Sequence, residues 1–415
     1  MKVHKFGGAS VKDANGLRSV AKIMQSLGNE SCCFVLSAMG KTTNALESVA
    51  EAHYKQTGDA AEILAQSKAF HEDVLAELFP AGHEVFNTIN DLFVEVDWAL
   101  EDAPRDDFGF EYDQIVAVGE LLSTSILVAY LKDLGEEIEW LDARDLVKTD
   151  NSYRNARVDW ELTEQAIKSK VKKGKKYLTQ GFIGCTTENF TTTLGREGSD
   201  YTAAILAYVL DADEVNVWKD VPGMLNADPR FFTDTQKIEN LSFREAIELA
   251  YYGAKVIHPK TIQPLQRKNI PLRVRSFVDM QEQGTLIAEN LEQNPKVPFY
   301  IVKPNQTLVS ISSRDFAFIV EDHLKEIFSV LSKYQISSNL MQNSAISFSI
   351  CFDAKPMNFD KVIYELAQEF DVRFNEGLCL YTLRHYTEDS AKSLLEGKEV
   401  ILEQKSRHTL QLLVK

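Results

Sequence analysis

The sequence predicts an α/β fold built on a mainly parallel sheet over roughly residues 1–285, followed by a smaller α+β region. Two observations predict it. Short apolar runs alternate with amphipathic stretches through the first 280 residues, the pattern of strands crossed by helices. After a polar stretch from Gln281 to Pro298, the order of elements becomes β-α-β-β-α-β, which places a domain boundary there.

Val3-His4-Lys5-Phe6 reads as the first strand, followed by Gly7-Gly8 and a helix from about Asp13. Cys32 to Leu36 reads as a second buried strand, again followed by a small-residue turn and a helix. Further strands are expected at Ile138–Leu141, Tyr177–Ile183, Val215–Trp218 and Leu272–Val274. Acidic amphipathic helices without strand signals fill about 55–105 and are expected to cap the sheet. Beyond the boundary, Leu308–Ser312 reads as a strand, and Leu324, Ile327, Phe328 and Leu331 share one helix face. Ile346, Phe348, Ile350 and Phe352 alternate as in a half-buried strand. Val362, Ile363, Leu366 and Phe370 mark a second helix and Leu378–Leu383 a strand. A brief helix near Ala391–Leu395 precedes a hairpin over Glu399–Val414.

At 415 residues with 44% hydrophobic content, the chain can fill two or three cores. A net charge of -16 excludes an extended nucleic-acid surface, though not a local phosphate site. The five cysteines form no CxxC pair and read as reduced thiols. The eight histidines show no metal spacing, and His71-Glu72 lacks the second histidine of a zinc helix. The N-terminus has no signal-peptide core, and no apolar run is expected to span a membrane. A soluble cytoplasmic protein without membrane or nucleic-acid partners is the expectation.

Three segments carry candidate chemistry. In Lys5-Phe6-Gly7-Gly8-Ala9-Ser10, two glycines at a strand-to-helix turn let backbone N–H groups approach an anion. Lys5 adds a point charge, and a lysine–phosphate contact at about 4 Å and an effective dielectric of about 20 is worth roughly 4 kcal/mol before desolvation. The same spacing also fits a tight turn with a surface lysine. Ser37-Ala38-Met39-Gly40-Lys41-Thr42-Thr43-Asn44 contains Gly-Lys-Thr, but Val35 stands where a P-loop needs glycine, so that reading fails. Ser37, Thr42 and Thr43 can contact a substrate or serve as plain helix caps. In Thr191–Thr202, Arg196 can grip a carboxylate bidentately, and Asp200 can orient phosphate-binding groups or water around Mg²⁺; a solvated loop with a Ser199-Asp200 helix cap is the plain alternative.

Further along, Trp218-Lys219-Asp220-Val221-Pro222-Gly223 with Asp228-Pro229-Arg230 fits a rigid nucleotide-holding turn. Gly253-Ala254-Lys255-Val256-Ile257-His258-Pro259 supplies another lysine. Glu120 sits in an otherwise apolar helix and needs a partner, either a structural cation or a substrate ammonium.

Taken together, these segments resemble the aspartokinase branch of the amino-acid kinase family over nearly the whole chain. Eight motifs stand in the family's order: Lys-Phe-Gly-Gly, Ser-Ala-Met-Gly-Lys-Thr-Thr-Asn, Gly-Glu-Leu-Leu-Ser, Gln-Gly-Phe-Ile-Gly, Thr-Thr-Thr-Leu-Gly-Arg, Gly-Ser-Asp-Tyr-Thr-Ala, Asp-Val-Pro-Gly and Gly-Ala-Lys-Val-Ile-His-Pro. The resemblance implies a three-layer kinase domain over 1–285 and two ACT-like, ferredoxin-like modules, one over 300–376 and a shortened one over 377–415. It implies phosphorylation of the L-aspartate β-carboxylate by ATP, with Mg²⁺ carried on the ATP phosphates, a first step toward lysine, threonine and methionine. Catalytic roles fall to Lys5, Asp200 and Lys255. Substrate contacts fall to Ser37, Thr43, Glu120, Arg196 and Ser199. Nucleotide contacts fall to Lys5, Phe6, Gly7, Gly8, Ser10, Lys219, Asp220, Leu225, Arg230, Lys255 and Val256. A homodimer through the ACT-like region is implied as well.

Several positions depart from the family's pattern. Ala9 replaces threonine, Glu197 replaces glycine beside Arg196, and Lys219 and Leu225 replace threonine and tyrosine. In the tail, Asp322 or His323 stands at a helix-opening glycine. Asn339 and Ala345 stand where lysine-inhibited relatives carry acidic residues, so lysine inhibition is expected to be weak or absent and the tail mainly to dimerise. A non-catalytic ATP- and amino-acid-binding sensor of the same fold is the alternative.

Overall fold

The computed structural model describes every residue except 255, 256, 316 and 355–357. The chain divides into two compact units. One is built from Met1–Met224, Lys237–Ile247 and a stretch ending at Pro295, the other from Leu225–Gln236, a stretch beginning at Glu248, and Lys296–Lys415.

The first unit is organised by an eight-stranded sheet. Its order is Asn240–Ser242, Thr285–Ala288, Leu272–Ser276, Glu214–Lys219, Lys2–Phe6, Cys32–Leu36, Lys176–Gln180 and Glu139–Leu141. Every neighbouring pair is parallel except Leu272–Ser276 with Thr285–Ala288. Lys2–Phe6 is central, and Phe6 lies opposite both Leu36 and Trp218 in register. The three turns that follow these strands therefore leave the sheet at one level, where open parallel sheets build their sites.

Sequence dictates the elements locally. Asp13 accepts the Gly16 N–H at 2.8 Å and caps Ala14–Ser26, whose Leu17, Val20, Ala21 and Met24 stripe is buried. The expected strand over Tyr177–Ile183 is broken at Gly181 and Phe182. Lys176–Gln180 stays in the main sheet, and Ile183–Cys185 pairs with Thr191–Thr193 in a separate ribbon. Phe182 takes a left-handed φ of 70°, so the chain turns where alternation alone reads straight on.

The 55–105 region is helical, as Ala60–Leu78 and Val85–Glu101. Leu64, Val74, Leu75, Ile89 and Phe93 join the same core as Phe6, Leu17 and Phe34. Contrary to the expectation that no apolar run spans a membrane, Phe108–Asp133 is long and apolar enough to cross one. It comprises two helices, Phe108–Val116 and Val118–Asp133, and 78% of its apolar window is buried in the protein, so the core accounts for its apolarity.

The second unit contains a six-stranded antiparallel sheet ordered Leu340–Asn343, Ser347–Asp353, Phe299–Ser313, Phe370–Arg384, Thr409–Val414 and Val400–Lys405. The helices Glu321–Lys333 and Phe359–Leu366 supply Ile327, Leu331, Val362 and Leu366 to a core with Val309, Ile311, Phe348 and Ile350. Phe370, assigned by spacing to the second helix, instead opens a strand while its side chain stays in that core. The expected division at 376–377 falls inside the strand Phe370–Arg384, which pairs with Phe299–Ser313 on one side and Thr409–Val414 on the other.

Candidate active site

The first two strand-end turns are packed backbone to backbone. Gly40 N–H donates to the Gly8 carbonyl at 3.1 Å, and a Cβ on Gly8 would meet the Ala38 carbonyl oxygen at 2.8 Å. Only glycine allows that approach. Beside it, a Cβ on Gly7 would meet only Lys5 Nζ, at 3.4 Å, so the turn is open next to the ammonium. Ser10 is buried and its hydroxyl donates to the Gly7 carbonyl at 2.6 Å, closing the turn.

Lys5 Nζ lies 2.7 Å from Asp200 Oδ1, with both side chains nearly enclosed. Asp200 comes from the first turn of the helix Gly198–Leu210, whose side chains are buried almost throughout. Burial alone pushes the Asp200 carboxyl up, but Lys5 and Lys219 outweigh it and hold the group below its ordinary value. It is thus an anion whose charge is balanced by two cations. Ser37 Oγ donates to Ser199 Oγ at 3.0 Å, tying the second turn to the same helix. Gly181 permits the fit, since a Cβ there would meet Ser199 Cβ at 2.4 Å.

Glu120 enters from the helix Val118–Asp133 and is 2% exposed. One carboxylate oxygen accepts the Ala38 N–H at 3.4 Å, and the other has no hydrogen-bond partner among the described residues. Burial pushes its pKa up to about 8, with the Ala38 N–H and the Lys5 charge opposing. A structural cation is the commoner way to satisfy a buried carboxylate; the described residues give Glu120 none, and the free oxygen suits a ligand cation.

The strand Thr191–Thr193, which leads into the helix Gly198–Leu210, is fixed by Asp113, which sequence reasoning missed. Its carboxylate accepts the Thr193 N–H at 2.8 Å, the Thr193 hydroxyl at 2.7 Å and the Arg154 N–H at 3.0 Å. Burial raises its pKa to about 6 despite these bonds. Its own helix, Phe108–Val116, carries Glu111 and Gln114 beside it, so no local pattern singles out Asp113. Arg196, beyond that strand, is exposed and makes no ion pair among the described residues. Glu197 holds a left-handed φ of 54° as the residue capping the helix, and its Oε2 is buried without a partner. His258 was also missed as a neighbour. Burial, then Lys260 and Arg196, lower its pKa against the pull of Glu197 and Asp200.

The remaining expected residues are placed unevenly. Phe6 is fully buried and stacked on Trp218 with centroids 5.7 Å apart, so its side chain is core and only its backbone faces the turn. Thr43 is half-buried in the first turn of Thr42–Lys55. Asp220 is exposed just beyond Lys219. Leu225 and Arg230 belong to the second unit, where Arg230 pairs with Asp228 at 2.5 Å. Lys255 and Val256 lie outside the described residues.

A parallel sheet whose strand-end turns carry a lysine–aspartate pair and backbone N–H groups is suited to holding phosphate. Residues 1–276 match the model of the amino acid kinase family, and the chain belongs to that family. Its relatives are more particular. Over 410 residues it is 33% identical to lysine-sensitive aspartokinase 3 of Escherichia coli (strain K12), covering 96% of this chain and 89% of that one. Over 385 residues it is 33% identical to the chloroplastic aspartokinase 3 of Arabidopsis thaliana, covering 88% and 67%. Among solved structures, E. coli aspartokinase III in complex with aspartate and ADP (R-state) superposes with a TM-score of 0.85 at 30% identity, covering 100% of this chain and 96% of that one. The same enzyme with lysine and aspartate (T-state) gives 0.83 at 30% identity and the same coverage.

Proposed function

We propose that this protein is an aspartate kinase, transferring the γ-phosphoryl group of MgATP to the β-carboxylate of L-aspartate. The observation that carries the reading is Glu120, a buried carboxylate with one oxygen unpartnered beside the Lys5 charge. It supplies what an α-ammonium group needs and a simple phosphate acceptor does not.

In this reading Lys5 and the N–H groups of the Gly7-Gly8 turn receive the transferred phosphoryl group. Asp200 holds Lys5 in place. Lys219 adds a second cation, and Arg196 takes a substrate carboxylate. Ser37 and Ser199, already bonded to each other, line the acceptor side with Thr43. Asp220, Leu225, Arg230, Lys255 and Val256 are assigned to the nucleotide by motif resemblance. A β-carboxylate oxygen attacks Pγ in line as the bond from Pγ to the β,γ-bridging oxygen breaks, giving 4-phospho-L-aspartate and ADP. A carboxylate is already ionised at neutral pH, so no general base is required. Catalysis is then positioning and charge neutralisation. Mg²⁺ enters as part of the nucleotide substrate.

The second unit is proposed to act mainly in homodimerisation, with weak or absent response to lysine. The Asn339 amide oxygen already accepts from Lys303 Nζ at 2.7 Å, and its amide nitrogen donates to Gln306 and Asp353. The Asn339 side chain is neutral and already shared with Lys303, so it brings no counter-charge for a second ammonium. ADP formation measured with L-aspartate, L-glutamate, UMP and no acceptor tests the reading. Stimulation by L-aspartate alone is expected, and equal rates with every acceptor would overturn it.

A further inference from the structure

We propose that a second, separate site on the first unit binds a small phosphate-bearing anion. It is a cavity of about 340 Å³ on the outer side of the helix Gly198–Leu210, lined by Arg157, Lys260 and Arg267 together with Trp160 and Tyr201. That volume lies within the range of small-molecule sites and exceeds what a single bare oxyanion fills.

The charge balance is the reason for the assignment. The chain carries 61 acidic and 45 basic residues, so three cations around one cavity would ordinarily have carboxylates among them. No Asp or Glu lines this one. Lys260 Nζ donates to the neutral Asn155 side chain, and burial lowers its pKa, which is the behaviour of an ammonium without a counter-ion. Neither Arg157 nor Arg267 forms an ion pair among the described residues, although Arg157 lies near Asp150, which accepts its backbone N–H at 2.9 Å. Arg267 acts electrostatically on the Tyr201 phenol. Two guanidinium groups and an ammonium around a shared space match phosphate oxygens, since each guanidinium can donate two parallel bonds. Trp160 stacks edge-on with Tyr208 at 5.2 Å, which leaves aromatic surface for the organic part of such a ligand.

The cavity and the proposed active site are distinct. Asp200 faces Lys5 on the buried side of the helix, whereas the next residue, Tyr201, lines the cavity. The assignment does not depend on the aspartate kinase reading.

Titration of the full-length protein with pyrophosphate, followed by tryptophan fluorescence, tests it. The wild type, Trp160→Phe, Arg157→Ala/Arg267→Ala and Lys5→Ala would be compared, with folding of each checked by circular dichroism. The expected result is a saturable change that disappears in Trp160→Phe. It should weaken at least about tenfold in the double arginine variant, the range for lost charge-assisted bonds, and persist in Lys5→Ala. Arg157→Lys/Arg267→Lys should retain part of the affinity. A response lost only in Lys5→Ala would place the anion in the active site and overturn the proposal. So would a response reproduced by sodium chloride at equal ionic strength, which marks simple screening.

Discussion

Lys5 Nζ sits 2.7 Å from Asp200 Oδ1, and the two groups, 195 positions apart in sequence, are 11% and 3% exposed. A strand end and a helix start are thereby joined by an ion pair that little solvent reaches. The pair is worth most as a device that fixes the lysine charge where a phosphoryl group would arrive. Buried pairs contribute little net stability, because desolvation offsets the attraction.

Lys5→Ala should therefore lower kcat by on the order of 10²–10³-fold, as expected for removing one enclosed cation from a phosphoryl site. It should also destabilise the fold by up to about 3–5 kcal/mol, since Asp200 is left buried with less compensation, and Lys219 keeps the loss toward the lower end. Steady-state kinetics and urea denaturation measure both. A Lys5→Ala/Asp200→Asn double variant should recover stability without recovering activity.

Glu120→Gln should raise the KM for L-aspartate with little effect on that for ATP. The pH dependence follows from the carboxyl being pushed up to about 8. Below that pH the free enzyme must lose a proton to pair with the substrate ammonium, so log KM for aspartate should fall as pH rises from 6 to 8. The glutamine variant should flatten that slope. Stability runs the other way. A carboxyl with a raised folded-state pKa contributes most below its unfolded value near 4.5, and that contribution is lost as pH rises through about 8. Glu120→Gln should accordingly melt higher than the wild type above pH 8, a gain in Tm against a loss of function.

Glu197→Gly should stabilise the protein by about 1 kcal/mol, because a non-glycine residue at φ 54° carries a backbone cost of that order. It also removes a buried, unpartnered carboxylate oxygen. If this carboxylate opposes substrate binding at Arg196, the KM for aspartate falls in the same variant. Thermal melts and initial rates on one preparation read both effects.

Gly181→Ala should cost activity and stability together. The added Cβ would lie 2.4 Å from Ser199 Cβ and 2.6 Å from its Cα, so the first turn of the helix carrying Asp200 must move. A loss of about 1–3 kcal/mol is expected from overpacking, with kcat falling more than KM rises.

Saturating L-lysine should change the rate less than twofold, in contrast to what the name of the lysine-sensitive E. coli relative says of that enzyme. Asn339 is neutral and already bonded to Lys303, Gln306 and Asp353. Severalfold inhibition in a coupled assay would contradict this account of the second unit.

Much of this was legible in the sequence. The strand–turn–helix units at Lys5 and Ser37, and the strand and turn at Lys219, follow from apolar runs ending in turn residues, and the parallel register brings the three turns to one level. Glu120 stood out because a carboxylate in an apolar helix must find a partner. What was not legible depended on contacts between distant segments. Asp113 is an organiser only because Thr193 and Arg154 come to it, and no spacing within its own helix announces that. Phe6 shares the Lys-Phe-Gly-Gly motif with Lys5, yet alternation along the strand sends its ring into the core against Trp218. The break at Gly181 was hidden because an apolar run on either side of a turn reads as one strand until Ser199 is brought against it.

The central claim is that an acyl phosphate of aspartate forms, and the most direct test is to trap it. Purified protein would be incubated with MgATP, L-aspartate and hydroxylamine, and the hydroxamate measured alongside Lys5→Ala and Glu120→Ala. The account predicts hydroxamate that requires both ATP and L-aspartate and is lost in both variants. Well-folded, ATP-binding wild-type protein that yields no hydroxamate would contradict it.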